Sequence, residues 1–323
     1  MRAVVIGAGV AGLTVAAELA RAGVRVTVID RADEPGPAQC SWWAGGMLAP
    51  WCERESAEEA VVTDGRHAAD WWDDAVGQVA RAGTLVVAPS RDRAELKRFS
   101  RRTGGHESIG EAEIAALEPD LAGRFSQALW FPDEAHLDPR AALRRLHDRL
   151  GDLGVEMCFA TEEAPGADLV FDCRGFAARD QLPDLRGVKG EMLLLRTRDI
   201  RLSRPVRLLH PRHPIYIVPR DDGVFMLGAT MIESADRQRI TARSMLELLG
   251  AAYALHPAFG EAEIVETGVD VRPAFADNLP RIVAQDGRIH VNGLYRHGFL
   301  LSPMLARRAV SAALRPLGLE KAS

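Results

Sequence analysis

Ala3-Val4-Val5-Ile6-Gly7-Ala8-Gly9-Val10-Ala11-Gly12 decides the fold, together with the run Leu13 to Arg21 that follows it. A short apolar run ends at a glycine, and Val10 to Arg21 are helix formers, so the stretch predicts strand, turn and helix. A β-branched run from Val24 to Ile29 predicts a second strand ending in Asp30, which completes a βαβ unit of about 30 residues. In that setting the GxGxxG spacing has a physical reading. Gly7 makes the tight turn, Gly9 admits a pyrophosphate to the backbone, and Gly12 lets helix and strand pack closely, while the amides around Val10 and Ala11 face the anion. Asp30, 18 residues after Gly12, stands where a carboxylate accepts ribose hydroxyls, and Arg31 beside it is a further expected cofactor contact. A tight turn with incidental glycines is the bland alternative, and the context favours a dinucleotide.

Outward from this unit, 323 residues with 47% apolar content suffice for a large core and about two domains. Forty basic against 45 acidic residues are spread without long like-charge blocks, so nucleic acid is not an expected partner. Cys40, Cys52, Cys158 and Cys173 have neither CxxC spacing nor a paired histidine. No metal site or disulfide framework is expected, and reduced cytoplasmic thiols are the simpler reading. The uncharged stretch Ala3 to Ala17 is too short to span a bilayer, and Ala16-Ala17-Glu18 is a poor signal-cleavage site, so neither membrane nor secretion is expected.

Ala57 to Val79 reads as helical with Trp72, Ala75, Val76 and Val79 on one face, and Thr84 to Ala88 then switches to a strand. Asp138-Pro139 is a helix start, continued by Leu143, Leu146, Leu150 and Leu153. Asp168 to Asp172 predicts a strand ending near Arg174 and Gly175. Beyond Pro183 the pattern turns to strands at Met192 to Leu195, Ile215 to Val218 and Phe225 to Leu227, with a helix near Ser244 to Tyr253. The first pattern returns with a strand at Ile289 to Asn292 and a helix opened by Ser302-Pro303. The expectation is an α/β chain: a Rossmann-type domain from 1–83, 133–183 and 266–323, with an inserted, mostly β (α+β) substrate domain from 84–132 and 184–265.

The glycine fingerprint serves FAD and nicotinamide cofactors alike. Two later segments bear on the choice: the small-residue turn Cys40-Ser-Trp-Trp-Ala-Gly-Gly-Met-Leu-Ala-Pro50, and Gly293-Leu-Tyr-Arg-His-Gly-Phe-Leu-Leu-Ser-Pro303, whose helix N-terminus suits the negative charge of a reduced flavin. With these, HLDPR (136–140), YIVPR (216–220), LGAT (227–230) and VRPAFADNLPRI stand in family order. The chain resembles the FAD-dependent D-amino acid oxidase superfamily, and within it most closely the glycine oxidases of thiamine biosynthesis, over nearly its whole length.

The resemblance implies that Gly7, Gly9, Gly12 and Asp30 hold the ADP half of FAD, that Ala44, Gly45, Gly46 and Met47 line the isoalloxazine, and that Gly298, Phe299, Leu300 and Leu301 meet its pyrimidine edge. Arg174 and Gly175 join the expected cofactor contacts. It further implies that Arg272 pairs with the substrate carboxylate, supported by Tyr216 and Arg296. The chemistry asks for those types independently: a planar guanidinium anchors a carboxylate so that Cα lies over flavin N5, and a tyrosine hydroxyl fixes the second oxygen. No protein base is obligatory if the neutral amine loses hydride directly. Each has a plainer reading: Arg272 as a surface arginine capping a loop, Tyr216 as a core tyrosine with its hydroxyl satisfied locally, and Arg296 as a solvated loop pair with His297.

The implied activity is oxidative deamination of glycine to an imine, then glyoxylate and ammonia, with hydrogen peroxide from oxygen, or delivery of the imine to a thiazole synthase. Alternatives are an oxidase of N-substituted glycines or small D-amino acids, a quinone-linked dehydrogenase, and a non-catalytic FAD-binding protein. No cysteine follows Cys173, so FAD is expected to be non-covalent, and a homo-oligomer is an expectation of the resemblance. Two departures stand out. Trp42-Trp43 replace small residues, either as junction packing or as walls narrowing the pocket, and the chain is short for the family, implying trimmed loops.

Overall fold

A computed structural model describes residues 1–315. The opening stretch forms the strand Arg2–Ile6, the helix Val10–Arg21 and the strand Arg25–Ile29, as expected. Gly7 has φ +104°, and a Cβ there would come within 2.7 Å of the Cys173 carbonyl, so the turn admits only glycine. These strands sit in a six-stranded sheet ordered 281–285, 288–292, 169–172, 2–6, 25–29, 156–158. All neighbours are parallel except the first pair. The helices Val10–Arg21, Ala68–Val76, Pro139–Asp152 and Gly298–Leu314 share its main core, with Leu13, Trp72, Leu143, Leu146 and Leu305 buried among them.

The helix start at Asp138-Pro139 is realised as read. Asp138 accepts from the amides of Arg140 (2.7 Å) and Ala141 (3.0 Å), while Leu143, Leu146 and Leu150 face the core, and Leu153, at the C-cap, is exposed. The run 57–79 is instead two helices, Glu59–Gly65 and Ala68–Val76. The first of them ends at Gly65, where a Cβ would lie 2.8 Å from Leu300 Cγ, so the close approach of the C-terminal helix requires glycine there.

The C-terminal helix also differs from expectation, beginning at Gly298 rather than Ser302 and carrying Pro303 inside it. Proline has no amide to give the carbonyl four residues back, that of Phe299. Trp72 Nε1, fully buried, donates to that carbonyl at 2.7 Å and makes the proline tolerable.

The second sheet contains nine strands from 84–131 and 186–274, ordered 232–233, 186–196, 224–228, 215–219, 206–208, 84–87, 127–131, 107–110, with 263–274 also paired to 186–196. Glu263–Ala274 crosses the boundary expected at 266, and so carries Arg272 on the large sheet. Leu193, Leu195, Ile217, Phe225 and Leu227 face the helix Ala242–Leu255. The alternate residues Met192, Tyr216, Val218 and Met226 face the other way, with Trp43 and Met47. The space between the two sheets is where the site forms. Among the described residues no helix is long and apolar enough to cross a membrane, and all four cysteines are free.

Candidate active site

A cavity of about 450 Å³ runs from the glycine turn to the large sheet. Gly7, Gly9, Val10, Ala11, Asp30, Arg31, Ala44, Gly45, Arg174, Gly175, Tyr216, Arg272, Arg296, Gly298 and Phe299 line it. A second cavity of about 300 Å³ shares Ala44, Gly45, Tyr216, Arg272, Arg296, Gly298 and Phe299, and adds Gly46, Met47 and Leu300. Two expected contacts line neither. Gly12 packs against the Gly7 carbonyl, as its role in helix packing requires, and Leu301 is turned into the core with its amide on the His297 carbonyl at 2.8 Å.

The glycine turn fits a dinucleotide by its unpaired donors. The Val10 amide donates to Ser41 Oγ at 3.0 Å, but the Gly9 and Ala11 amides have no acceptor among the described residues and lie on the cavity. Such amides suit a pyrophosphate. Asp30 Oδ2 accepts from the Ala8 amide (2.6 Å) and Oδ1 from that of Ala32 (2.8 Å), which holds the carboxylate at the cavity wall beside Arg31. Arg174 is tied to buried Asp172 (2.8 Å) and to Asp180 (3.0 Å). The helices starting at Val10 and Gly298 converge: a Cβ on Gly298 would lie 3.3 Å from Val10 Cγ1.

The turn 44–47 is clamped from both sides. Gly46 has φ +72°, and its carbonyl accepts from the Leu137 amide at 2.9 Å. Arg220, from the YIVPR segment, donates to the Gly45 carbonyl at 2.8 Å and lies 3.5 Å from Asp138, so three motifs lock one another. Burial pushes the Arg220 pKa down to about 10, which leaves it charged at neutral pH. Trp42 and Trp43 both stack on Arg140, at 4.9 and 5.1 Å. Arg140 in turn pairs with Glu266 at 2.7 Å, and Trp43 also lines the larger cavity. These tryptophans therefore join the two sheets, and Trp43 narrows the cavity as well.

Tyr216 and Arg272 come together on one face of the large sheet. The Tyr216 ring lies between Gly45 and Gly228, where added Cβ atoms would come within 2.9 and 2.8 Å of it. Its hydroxyl has no hydrogen-bond partner among the described residues, and burial raises its pKa, so it stays a proton donor. Arg272 Nη1 donates to the Thr230 carbonyl at 3.0 Å, and no carboxylate pairs with it among the described residues.

Arg296 reaches the same cavities but is already paired. Its Nη2 donates to Glu53 Oε2 at 2.6 Å and to Ser56 Oγ at 2.8 Å. Glu53 also binds buried Arg207 and lies 3.5 Å from His297. Burial opposes ionisation of Glu53, but Arg296, Arg207 and His297 outweigh it and hold its carboxyl well below the usual range. Burial lowers the His297 pKa to about 4, so this ring is neutral at pH 7. Sequence reasoning passed over Glu53, whose only signal was a carboxylate following the Gly-rich turn.

The profile of the family described as FAD dependent oxidoreductase (DAO) matches residues 2–312. A protein of Rhizobium etli assigned by name to thiamine biosynthesis as the oxidoreductase ThiO is 60% identical over 321 residues, 98% of each chain. A glycine oxidase of Pseudomonas aeruginosa is 29% identical over 95% of this chain and 93% of its own. A bifunctional ThiO/ThiG protein of Nostoc is 28% identical over 94% of this chain and 51% of its own. The crystal structure of glycine oxidase from Geobacillus kaustophilus superposes with a TM-score of 0.80 at 22% identity, covering 100% of this chain and 99% of that one.

Proposed function

The chain belongs to the family of FAD-dependent oxidoreductases, and from that premise we propose that it oxidises the primary amine of glycine to an imine, reduces oxygen to hydrogen peroxide, and supplies the imine for thiazole formation in thiamine biosynthesis. Hydrolysis of the imine gives glyoxylate and ammonia. The observation that carries this reading is the Arg272 guanidinium, pegged by one backbone carbonyl and without an anionic partner among the described residues, where the two cavities meet. A small amino acid brings the missing carboxylate.

FAD, bound non-covalently along the glycine turn, the 44–47 loop and the N-terminus of the C-terminal helix, supplies a hydride acceptor that oxygen can reoxidise. The chain's own residues bind and orient. Arg272 takes the carboxylate in a charge-assisted, bidentate pair, and the protonated Tyr216 hydroxyl donates to one of its oxygens. Two fixed contacts at one end of so small a substrate set the direction in which its Cα presents a hydrogen. Glu53 pairs with both Arg296 and Arg207, whereas Arg272 has no carboxylate partner among the described residues and is free to take that of the substrate. None of these groups needs to remove a proton at Cα. The amine enters neutral, and Glu53, held by three cationic or polar partners, is a poor base.

The pathway assignment draws on the names of the relatives. The ThiO/ThiG protein joins a portion similar to this chain to a second part of comparable length, which supports a thiazole synthase as the partner that accepts the imine. A second reading, oxidation of N-substituted glycines, is favoured by the smaller cavity, which extends past Tyr216 to Arg98 and His210 and leaves room beyond a glycine amine. The experiment adds glycine, sarcosine and D-alanine to the purified yellow protein without oxygen and follows the flavin band near roughly 450 nm. Bleaching fastest by glycine, reversed by air with peroxide formed, supports the first reading. Bleaching by sarcosine alone supports the second, and no bleaching by any of the three refutes both.

A further inference from the structure

We infer that Thr230, held in place by Glu191, is a positioning residue that aims Arg272 at the substrate carboxylate; the inference rests on the reading of Arg272 as the carboxylate anchor. The strand Val224–Gly228 pairs with Arg186–Arg196 as far as Gly228 opposite Met192, and pairing resumes with Ile232 opposite Lys189. Residues 229–231 thus stand against only Gly190 and Glu191, and the extra residue bulges the strand.

Glu191 and Thr230 fix the shape of that bulge through three hydrogen bonds. The Glu191 amide donates to Thr230 Oγ1 (2.9 Å), the Thr230 hydroxyl donates to Glu191 Oε2 (3.0 Å), and the Thr230 amide donates to the Glu191 carbonyl (3.1 Å). The outcome is that the Thr230 carbonyl meets Arg272 Nη1 at 3.0 Å. Arginine carries large rotamer freedom, and a carbonyl whose own residue is held through its hydroxyl and amide restricts it before substrate arrives, leaving the rest of the guanidinium to a carboxylate.

The placement of Glu191 would otherwise be costly. It is fully buried, its Oε1 has no hydrogen-bond partner among the described residues, and the ammonium of Lys189, itself buried, lies 3.6 Å away. A buried ion pair is weak evidence for stability, and an apolar pair would fill the same space in the sheet. Lys189 also reaches Asp236 at 3.4 Å, tying the segment after the bulge to the same strand. The array is thus built around the bulge that presents the Thr230 carbonyl to Arg272.

The test uses FAD-loaded wild type, Thr230→Ser, Thr230→Val and Arg272→Ala. Acetate, a carboxylate without an amine, is titrated against the flavin absorbance, and KM and kcat for glycine are measured beside it. Thr230→Ser keeps the hydroxyl and binds acetate as the wild type does. Thr230→Val weakens acetate about tenfold, the scale of one hydrogen bond, and raises KM by a similar factor with kcat changed far less. If the valine variant does not yield FAD-loaded protein, Thr230→Ala makes the same comparison. Acetate affinity equal to that of the serine variant, with binding lost in Arg272→Ala, overturns the role of Thr230 while leaving Arg272 as the anchor. Acetate binding untouched by Arg272→Ala overturns the anchor reading and the inference together.

Discussion

Replacing Trp72 by phenylalanine tests how the C-terminal helix tolerates its internal proline. Pro303 gives the Phe299 carbonyl no helical donor, and the Trp72 indole supplies one at 2.7 Å from a fully buried position. Phenylalanine keeps an aromatic ring beside Phe299, 5.2 Å away in the native pair, but removes that donor. An acceptor left buried and unpaired costs about 1–3 kcal/mol, and the void left by the lost part of the indole adds about 1 kcal/mol. The sum is a loss of about 2–4 kcal/mol, read by urea unfolding, with a fall in Tm of roughly 4–8 °C. A double-mutant cycle isolates the cause. Pro303→Ala returns an amide to the Phe299 carbonyl, so Trp72→Phe in that background costs less by about 1–2 kcal/mol. An equal loss in both backgrounds would show that Trp72 acts by packing alone and refute the hydrogen-bond argument.

Arg272→Ala retains yellow FAD and loses kcat/KM for glycine by about 2–5 kcal/mol of transition-state stabilisation; steady-state peroxide release checks this, and unchanged kinetics would remove Arg272 from the site. Gly9→Val places a branched side chain where a Cβ already comes within 3.3 Å of Ser41 Oγ, beside the unpaired Gly9 amide, so the purified protein is colourless after desalting. A variant that stays yellow contradicts that placement. Burial lowers the pKa of His136 and of His297 to about 4, against an ordinary 6.5. The unfolded chain therefore binds protons that the fold refuses between pH 6.5 and 4. Stability is full above that window and falls through it, by about 2 kcal/mol for each histidine at pH 5. Melting followed by circular dichroism from pH 7 to 5 checks the slope, and a flat profile would contradict the burial of both rings.

The parts of the fold written in local pattern were legible. Strand, glycine turn and helix at 2–21 need only apolar runs and glycine spacing, and the Asp138-Pro139 cap states its own geometry. What escaped depends on partners distant in sequence. The close fit of Gly65 against Leu300 and the Trp72 bond that serves the Phe299 carbonyl join residues that no window of neighbouring sequence contains. Only the end of Arg186–Arg196 read as a strand, because Lys189 and Glu191 are charged yet buried and so hide the alternation. At the candidate site, Arg272 and Tyr216 were singled out through the resemblance and the chemistry of carboxylate binding, and both line the two cavities. Glu53 was not, since it acquires its role from Arg207 and Arg296, 154 and 243 residues further along.

The central claim is that Arg272 and Tyr216 hold an amino acid carboxylate so that its amine-bearing carbon faces the flavin. Anaerobic titration of the FAD-loaded protein with glycine, followed through the flavin absorbance, tests it most directly. The account predicts full bleaching that saturates with glycine, recovers in air with one peroxide per flavin, and fails with methylamine, which has the amine but no carboxylate. A flavin that methylamine bleaches as readily as glycine, or that glycine does not bleach at all, would contradict it.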